Sequence, residues 1–438
     1  MRIQPARRMR GRLRVPGDKS ISHRAALLAA LTSGGPVRIE NYATSADCAS
    51  TLACLQQLGI GIEQHDTTVT LAGAGLQLPH APAAALDCGN SGTTLRLLAG
   101  LLAGQSFPAT LTGDDSLRTR PMRRIIEPLA QMGAHVAAQA GRAPLTIKGR
   151  RPLNAIAYTP PVASAQVKSC VLLAGLNADG RTNVCEHTPT RDHTERLLRW
   201  FGVAVETESA TVNGQSAHVV SLAPPAQLAA RDCAIPGDIS TAAFFFVAAA
   251  LLPASDLTVA NVGLNPTRTQ IIATLSALGA DVQVADVRAQ MGEPVGDVRV
   301  RGGLTQAAAG ANVLDGPLIA ALIDELPILA VLGTQLAGGL TIRDAGELRV
   351  KETDRIRAMA LNLRALGAEV EEYEDGLSVH GPAALVGTRL DAYGDHRIAM
   401  ASAVAALIAT GDSELVGADC VRISCPEFFA LLEATLER

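Results

Sequence analysis

The stretch Leu363-Arg364-Ala365-Leu366-Gly367-Ala368 reads as the end of an amphipathic helix stopped by a glycine, and the alternation Glu369-Val370-Glu371 after it reads as a strand. The same signature stands at Leu55-Gln56-Gln57-Leu58-Gly59-Ile60, Leu129-Ala130-Gln131-Met132-Gly133-Ala134, Leu198-Arg199-Trp200-Phe201-Gly202-Val203 and Leu275-Ser276-Ala277-Leu278-Gly279-Ala280. Five copies at intervals of roughly 70–90 residues are too widely spaced for a solenoid and suit an α/β unit of two helices and several strands. Residues 426–436 read as a sixth helix of this kind.

Between these helices lies a second type that is apolar all round, at residues 25–31, 93–102, 168–176, 242–252, 318–332 and 398–408. A helix without a polar face belongs in an interior. Each unit therefore pairs one interior with one exterior helix, and six units make twelve helices. The halves are related as well. Val15-Pro16-Gly17-Asp18-Lys19-Ser20 resembles Ile235-Pro236-Gly237-Asp238-Ile239-Ser240, and each leads into an interior helix. The expected organisation is α/β with two similar domains of three repeated units each. The first takes residues 18–235 and the second 1–17 with 236–438, with hinges near 16–18 and 236–238.

Composition narrows the function. A net charge of −4 argues against a general nucleic-acid binder. The most apolar run, residues 244–253, is too short to cross a membrane. The basic start (Arg2, Arg7, Arg8, Arg10, Arg12, Arg14) lacks the serine-rich character of a transit peptide and runs straight into a motif, so it reads as mature protein. None of the eight cysteines forms a C-x-x-C pair, and no histidine stands at ligand spacing from two of them. They fit reduced structural thiols of a cytoplasmic protein with no metal.

Polar clusters recur at helix starts. Lys19, Ser20 and Arg24 follow Gly17, where backbone amides and two cations suit a phosphate; simple capping by Asp18 or Ser20 is the alternative. Cys88-Gly89-Asn90-Ser91-Gly92-Thr93 opens a helix that carries Arg96 on an apolar face, and a buried arginine needs an anionic partner. Gly113 to Pro121 brings Arg118 and Arg120, Ser164-Ala165-Gln166-Val167-Lys168 opens another interior helix, and Thr190-Arg191-Asp192-His193 follows. In the second half, Asp324 and Glu325 interrupt the apolar run 318–332, which holds no basic residue. The spacing predicts a helix whose head carries Lys351 and Arg355 on one face, with Glu352 beside them. Cations there oppose the helix dipole by up to ~1 kcal/mol, and a bound anion reverses that sign; a solvated charged turn is the alternative. Tyr393-Gly394-Asp395-His396-Arg397 delivers one more arginine at a helix start. Together the clusters point to a substrate with several negative charges, with Asp324 and Glu352 as candidate acid and base.

The ordered set Pro16-Gly17-Asp18-Lys19-Ser20-Ile21-Ser22-His23-Arg24, Gly89-Asn90-Ser91-Gly92-Thr93, Arg118-Thr119-Arg120-Pro121-Met122, Ser164-Ala165-Gln166, Val350 to Arg355 and Gly394-Asp395-His396-Arg397 resembles the 5-enolpyruvylshikimate-3-phosphate (EPSP) synthase family. The resemblance runs from Pro16 to about Phe429. It implies an enolpyruvyl transferase fold, an inside-out α/β barrel of three units around interior parallel helices in each domain. It implies transfer of the enolpyruvyl group of phosphoenolpyruvate to shikimate-3-phosphate, through a tetrahedral intermediate and without a cofactor. Carried over by position, Lys19, Ser20, Arg24, Ser164, Gln166, Arg191, Asp324 and Lys351 hold shikimate-3-phosphate. Lys19, Gly92, Arg120, Gln166, Arg355 and Arg397 hold phosphoenolpyruvate. Asp324 deprotonates the 5-hydroxyl, and Glu352, assisted by Lys19, serves proton transfer at the methylene carbon. A monomeric cytoplasmic enzyme open to glyphosate is expected, with neither nucleic acid nor membrane as partner. Ile423 stands where many relatives place a lysine, with Arg422 beside it, and Ala165 where some have serine. The rival readings are a UDP-N-acetylglucosamine enolpyruvyl transferase, whose reactive cysteine would occupy the place of Asp115, and a non-catalytic sensor of anionic metabolites. Retention of Asp324 and Glu352 argues against the sensor.

Overall fold

Every exterior-helix glycine of the repeat adopts a left-handed conformation: φ is +92° at Gly59, +92° at Gly133, +85° at Gly202, +92° at Gly279 and +96° at Gly367. A side chain is disfavoured there, so glycine ends each helix and turns the chain into a strand. The structure is a computed structural model describing residues 1–212, 214–308 and 310–438. Its helices among those residues are α1 (Lys19–Ala29), α2 (Ala46–Gln57), α3 (Gly92–Ala103), α4 (Asp115–Thr119), α5 (Arg123–Gln131), α6 (Ala165–Gly175), α7 (His193–Trp200), α8 (Ile239–Leu251), α9 (Gln270–Ala277), α10 (Pro317–Leu322), α11 (Leu326–Gly333), α12 (Arg355–Ala365), α13 (His396–Leu407) and α14 (Phe428–Thr435).

The chain forms two units. One comprises Gly17–Ile235 with Gln290–Glu293, the other Met1–Pro16, Pro236–Ala289 and Pro294–Arg438. The short piece 290–293, the tip of the hairpin formed by Ala280–Gln290 and Glu293–Leu304, had no counterpart in the expected boundaries.

One sheet plan is used over and over: a first strand parallel to a second, which is antiparallel to the far strand of a hairpin. In the first unit Leu86–Asp87 runs parallel to Pro108–Thr112, which pairs antiparallel with Arg142–Lys148, and that with His135–Gln139. Ala157–Tyr158, Thr182–Glu186, Gln215–Leu222 and Val205–Val212 repeat the plan. So do Cys233–Ala234, Pro36–Glu40, Thr68–Ala72 and Ile62–His65. In the second unit Val313–Leu314, Leu340–Ile342, Gly376–Val379 and Val370–Tyr373 follow it. Arg8–Leu13 is parallel to Asp256–Gly263, which pairs with Glu293–Leu304. Arg389–Asp391, Ser413–Val416 and Arg2–Ile3 make a shorter version. The parallel step needs a crossover, and an interior helix supplies it in the four sheets whose parallel strands are successive, through α3, α6, α10 with α11, and α13. Strand 8–13 precedes α1 in sequence but belongs to a sheet of the second unit, and strand 233–234 precedes α8 but belongs to a sheet of the first.

The interior helices are buried along their length, as their composition demands. α8 is buried from Ile239 through Ala250 and α13 from His396 through Leu407. α3 packs on α6 at close range: a Cβ on Gly100 would lie 2.3 Å from the Cys170 carbonyl oxygen. No helix among the described residues is long and apolar enough to cross a membrane.

Two expected elements differ. The run 318–332 is not one helix but α10 and α11, broken at 323–325. Pro327 explains it, because its ring would clash with the carbonyl of residue 323 in a continuous helix and it has no N–H to donate. Lys351 does not share a helix face with Arg355. Gly346–Val350 is a 3₁₀ turn, Lys351 is extended with ψ −150°, and α12 begins at Arg355 with Asp354 as its cap, the Asp354 side chain accepting from the Arg357 N–H. The Asp354 cap ends the preceding turn and restarts the chain as α12. α4 and the split of the fifth interior helix account for fourteen α-helices among the described residues rather than twelve.

Candidate functional site

In the first unit, Asp18 caps α1 by accepting from the Ile21 N–H at 2.9 Å, which leaves Lys19 and Ser20 on the first turn. Lys19 Nζ lies 3.0 Å from Asp47 Oδ2. Asp47 sits in the first turn of α2, where the dipole favours a carboxylate. Arg24, one turn further along α1, is only 4% exposed. Its Nη1 donates to the Ser20 carbonyl at 2.9 Å, its Nε to Thr194 Oγ1 at 2.7 Å and its Nη2 to Ser169 Oγ at 2.9 Å. The arginine thus braces the turn that carries Ser20.

His23 is fully buried beside these cations, with Nδ1 2.7 Å from Thr51 Oγ1. Burial holds its pKa well below the usual histidine value, Lys19 and Arg24 push the same way, and Asp18 opposes them. The imidazole is therefore neutral near pH 7. Thr51 in turn meets Thr94 Oγ1 at 2.7 Å, tying α2 to the start of α3.

That start gathers a second group. Ser91 caps α3, Arg96 Nη1 donates to Gln166 Oε1 at 2.7 Å, and Gln166 Nε2 donates to Thr93 Oγ1 at 3.0 Å. Arg120 Nη2 donates to Asn90 Oδ1 at 2.8 Å. A Cβ on Gly92 would lie 2.6 Å from Arg96 Nη1 and 3.4 Å from Arg120 Nη1, so the missing side chain is what lets the guanidinium groups approach that turn. Ser164 caps α6, its hydroxyl accepting from the Val167 N–H at 3.5 Å. Arg191 is half-buried in the loop ahead of α7.

Lys168 is 1% exposed, with Nζ 2.7 Å from Glu186 Oε2 and 2.8 Å from Glu195 Oε1. Burial alone would lower its pKa; Glu195 and Glu186 outweigh burial and raise it. The lysine that follows Ser164-Ala165-Gln166 is thus a core ion-pair partner.

In the second unit the break between α10 and α11 puts Asp324 against two arginines. Arg397 Nη1 donates to the Asp324 carbonyl at 2.9 Å, Arg397 Nε lies 3.5 Å from Asp324 Oδ1, and Arg355 Nη1 lies 3.7 Å from the same oxygen. Arg355, 2% exposed, also donates from Nε to Asp395 Oδ2 and from Nη2 to Glu352 Oε2, both at 2.7 Å. Burial alone would lower the Arg355 pKa, but Asp395, Glu352 and Asp324 together push it above the usual arginine value. Lys351 Nζ donates to Glu347 Oε1 at 2.8 Å. The expected pair Asp324 and Glu352 is therefore brought onto one guanidinium. The cluster sets the guanidinium groups of Arg355 and Arg397 against the carboxylates of Asp324, Glu352 and Asp395.

Sequence reading missed Asp47 and the second role of Asp395. Asp395 caps α13, accepting from the Arg397 N–H at 2.8 Å. Its other oxygen reaches Arg355, a partner no local pattern announces. Arg422 lines a separate pocket of about 590 Å³ with Met1, Arg389, Glu414, Asp419 and Phe429, which contains none of the expected site residues. Cysteines 48 and 170 are pushed up to about 12 by burial, which keeps them as inert thiols. Among the described residues no group of three or more His, Cys, Asp or Glu side chains is arranged to hold a metal.

Residues 3–432 match the family model described as EPSP synthase (3-phosphoshikimate 1-carboxyvinyltransferase). A 3-phosphoshikimate 1-carboxyvinyltransferase of Geobacillus kaustophilus (strain HTA426) is 49% identical over 432 residues, covering 98% of each chain. One of Acidithiobacillus ferrooxidans is 50% identical, covering 98% of this chain and 96% of its own. The solved EPSP synthase of Acinetobacter baumannii is 38% identical and superposes with a TM-score of 0.87 over 99% of this chain and 98% of its own.

Proposed function

The chain belongs to the EPSP synthase family, and on that premise we propose that it transfers the enolpyruvyl group of phosphoenolpyruvate to the 5-hydroxyl of shikimate-3-phosphate and releases phosphate. The observation that carries the reading is the arrangement of Asp324 and Glu352 around buried Arg355, with Arg397 on Asp324.

Asp324 takes the proton of the 5-hydroxyl as its oxygen attacks C2 of phosphoenolpyruvate, while Glu352, assisted by Lys19, delivers a proton to the methylene carbon. The result is a tetrahedral intermediate with a methyl group. Loss of a methyl proton then re-forms the double bond as the C2–phosphate bond breaks, and phosphate leaves. Lys19, Ser20, Arg24, Ser164, Gln166, Arg191, Asp324 and Lys351 hold shikimate-3-phosphate; Arg24 does so by fixing the Ser20 turn. Lys19, Gly92, Arg120, Gln166, Arg355 and Arg397 hold phosphoenolpyruvate. The cations supply charge-assisted hydrogen bonds to phosphate and carboxylate oxygens.

The proposal extends to the architecture and setting. Each domain is an inside-out barrel of three units around parallel interior helices, hinged near 16–18 and 236–238. The enzyme works as a monomer in the cytoplasm without cofactor. The repeated sheet plan supports the architecture, and Asp115, which opens α4, stands where the rival UDP-N-acetylglucosamine enzyme would carry its reactive cysteine. Phosphate release from phosphoenolpyruvate, measured with and without shikimate-3-phosphate, tests the reading. Release only with both substrates is expected; release with UDP-N-acetylglucosamine instead would overturn it.

A further inference from the structure

The second Pro-Gly-Asp motif has lost the lysine of the first, and the chemistry proposed above makes no use of it. Asp238 still caps its helix, accepting from the Ser240 N–H at 2.8 Å. The serine that follows it faces inward: Ser240 is 1% exposed, and its hydroxyl donates to Glu325 Oε1. Arg268, also buried, donates from Nη2 to Ser240 Oγ at 2.7 Å and lies 3.4 Å from Asp238 Oδ1. Glu325 itself is 1% exposed.

Glu325 is the residue after Asp324, in the break between α10 and α11. Its N–H donates to the Leu322 carbonyl at 2.7 Å and its carbonyl accepts from the Leu329 N–H at 3.0 Å. Its backbone therefore ends one helix and begins the next, while its side chain is tied to α8 through Ser240. A carboxylate buried next to Leu322, Leu326 and Ile328 stays only where hydrogen bonds and a cation compensate its desolvation. Pro327 sets where the break lies; those partners hold the broken segment against α8 through Glu325, next to where Asp324 meets Arg397 and Arg355.

We propose that Ser240, Glu325 and Arg268 form a positioning cluster for Asp324, so that the second Pro-Gly-Asp motif serves catalysis by orienting the base rather than by binding phosphate. This rests on the reading of Asp324 as the base in enolpyruvyl transfer. Ser240→Ala removes one hydrogen bond of Glu325 and keeps every charged side chain; Glu325→Gln keeps the shape and removes the charge. Misplacing a reacting group by about 1 Å costs roughly a hundredfold in rate.

The test is steady-state phosphate release by the full chain, with Ser402→Ala as control. Ser402 is a comparably buried serine of the same unit, accepting from Asn362 Nδ2 at 2.9 Å away from this cluster. Ser240→Ala and Glu325→Gln should each lower kcat roughly ten- to a hundredfold, with both KM values within about threefold of wild type. Ser402→Ala should keep wild-type kcat. Unchanged kcat in both cluster variants, a change confined to KM, or an equal loss in Ser402→Ala would overturn the inference. Wild-type turnover tests the proposed function separately. Crystallography of Ser240→Ala reads the positioning without turnover: the Asp324 carbonyl should leave Arg397 Nη1, now 2.9 Å away, and an unmoved Asp324 overturns the proposal.

Discussion

Arg397 holds Asp324 twice, by a hydrogen bond from Nη1 to its carbonyl at 2.9 Å and by an approach of Nε to its carboxylate at 3.5 Å. One arginine therefore fixes both the backbone and the acid of the candidate base. Asp324→Asn keeps the backbone contact and removes the base, so kcat should fall by ~10²–10⁴, with smaller changes in substrate affinity. Glu352→Gln should do the same, because Arg355 retains Asp395 at 2.7 Å and stays in place. Initial rates at saturating substrates check both; near-full turnover in either variant removes that residue from the mechanism.

Lys168→Met should be among the most damaging single changes to stability. It strands Glu186 and Glu195, both buried, without their cation, and breaking a buried pair from one side costs ~3–5 kcal/mol. Urea unfolding would show a lower midpoint. Adding Glu186→Gln and Glu195→Gln to Lys168→Met should recover part of the loss, since no buried charge is then left behind.

His23 gives a pH signature. Its folded pKa lies below the unfolded value, chiefly through burial and then through Lys19 and Arg24. The unfolded chain therefore binds a proton that the folded chain refuses. This contribution to stability is present above the unfolded pKa of about 6.5 and is lost as pH falls from there toward the folded pKa, by about 1.4 kcal/mol per pH unit. His23→Asn cannot titrate in this range. Unfolding curves of wild type and His23→Asn between about pH 7.5 and about pH 5 should therefore diverge, the wild type losing more. Parallel pH dependence would overturn this, showing that His23 takes up its proton equally in the folded and unfolded chain.

Glyphosate should compete with phosphoenolpyruvate, and Gly92 should govern the competition. An added Cβ would lie 2.6 Å from a guanidinium nitrogen of Arg96 and 3.4 Å from one of Arg120. Gly92→Ala must push Arg96 from its place beside Gln166, an overpacking of ~1–3 kcal/mol. The inhibition constant for glyphosate should rise roughly ten- to a hundredfold, and KM for phosphoenolpyruvate by less, because the longer ligand needs the space the guanidinium groups move into. Equal rises in the two constants would mean that the change acts on the shared anion site alone.

The amino-acid sequence by itself determined the repeat, the helix ends and the caps. Gly59, Gly133, Gly202, Gly279 and Gly367 act within one turn of their own helices, and Asp18, Asp238 and Asp395 cap theirs through the next few N–H groups. Such features are local, so residue type and spacing reveal them. Even the break at 323–325 was written in Pro327, although the apolar run around it hid the signal. Tertiary structure alone decided which charges meet. Lys19 finds Asp47, Lys168 finds Glu186 and Glu195, Arg355 finds Asp395, and Ser240 finds Glu325. Except for Lys168, the partners lie 28 to 85 residues apart. A buried charge accepts whichever counter-charge the packing of apolar helices brings within reach, and that packing is set by the whole core rather than by any one segment.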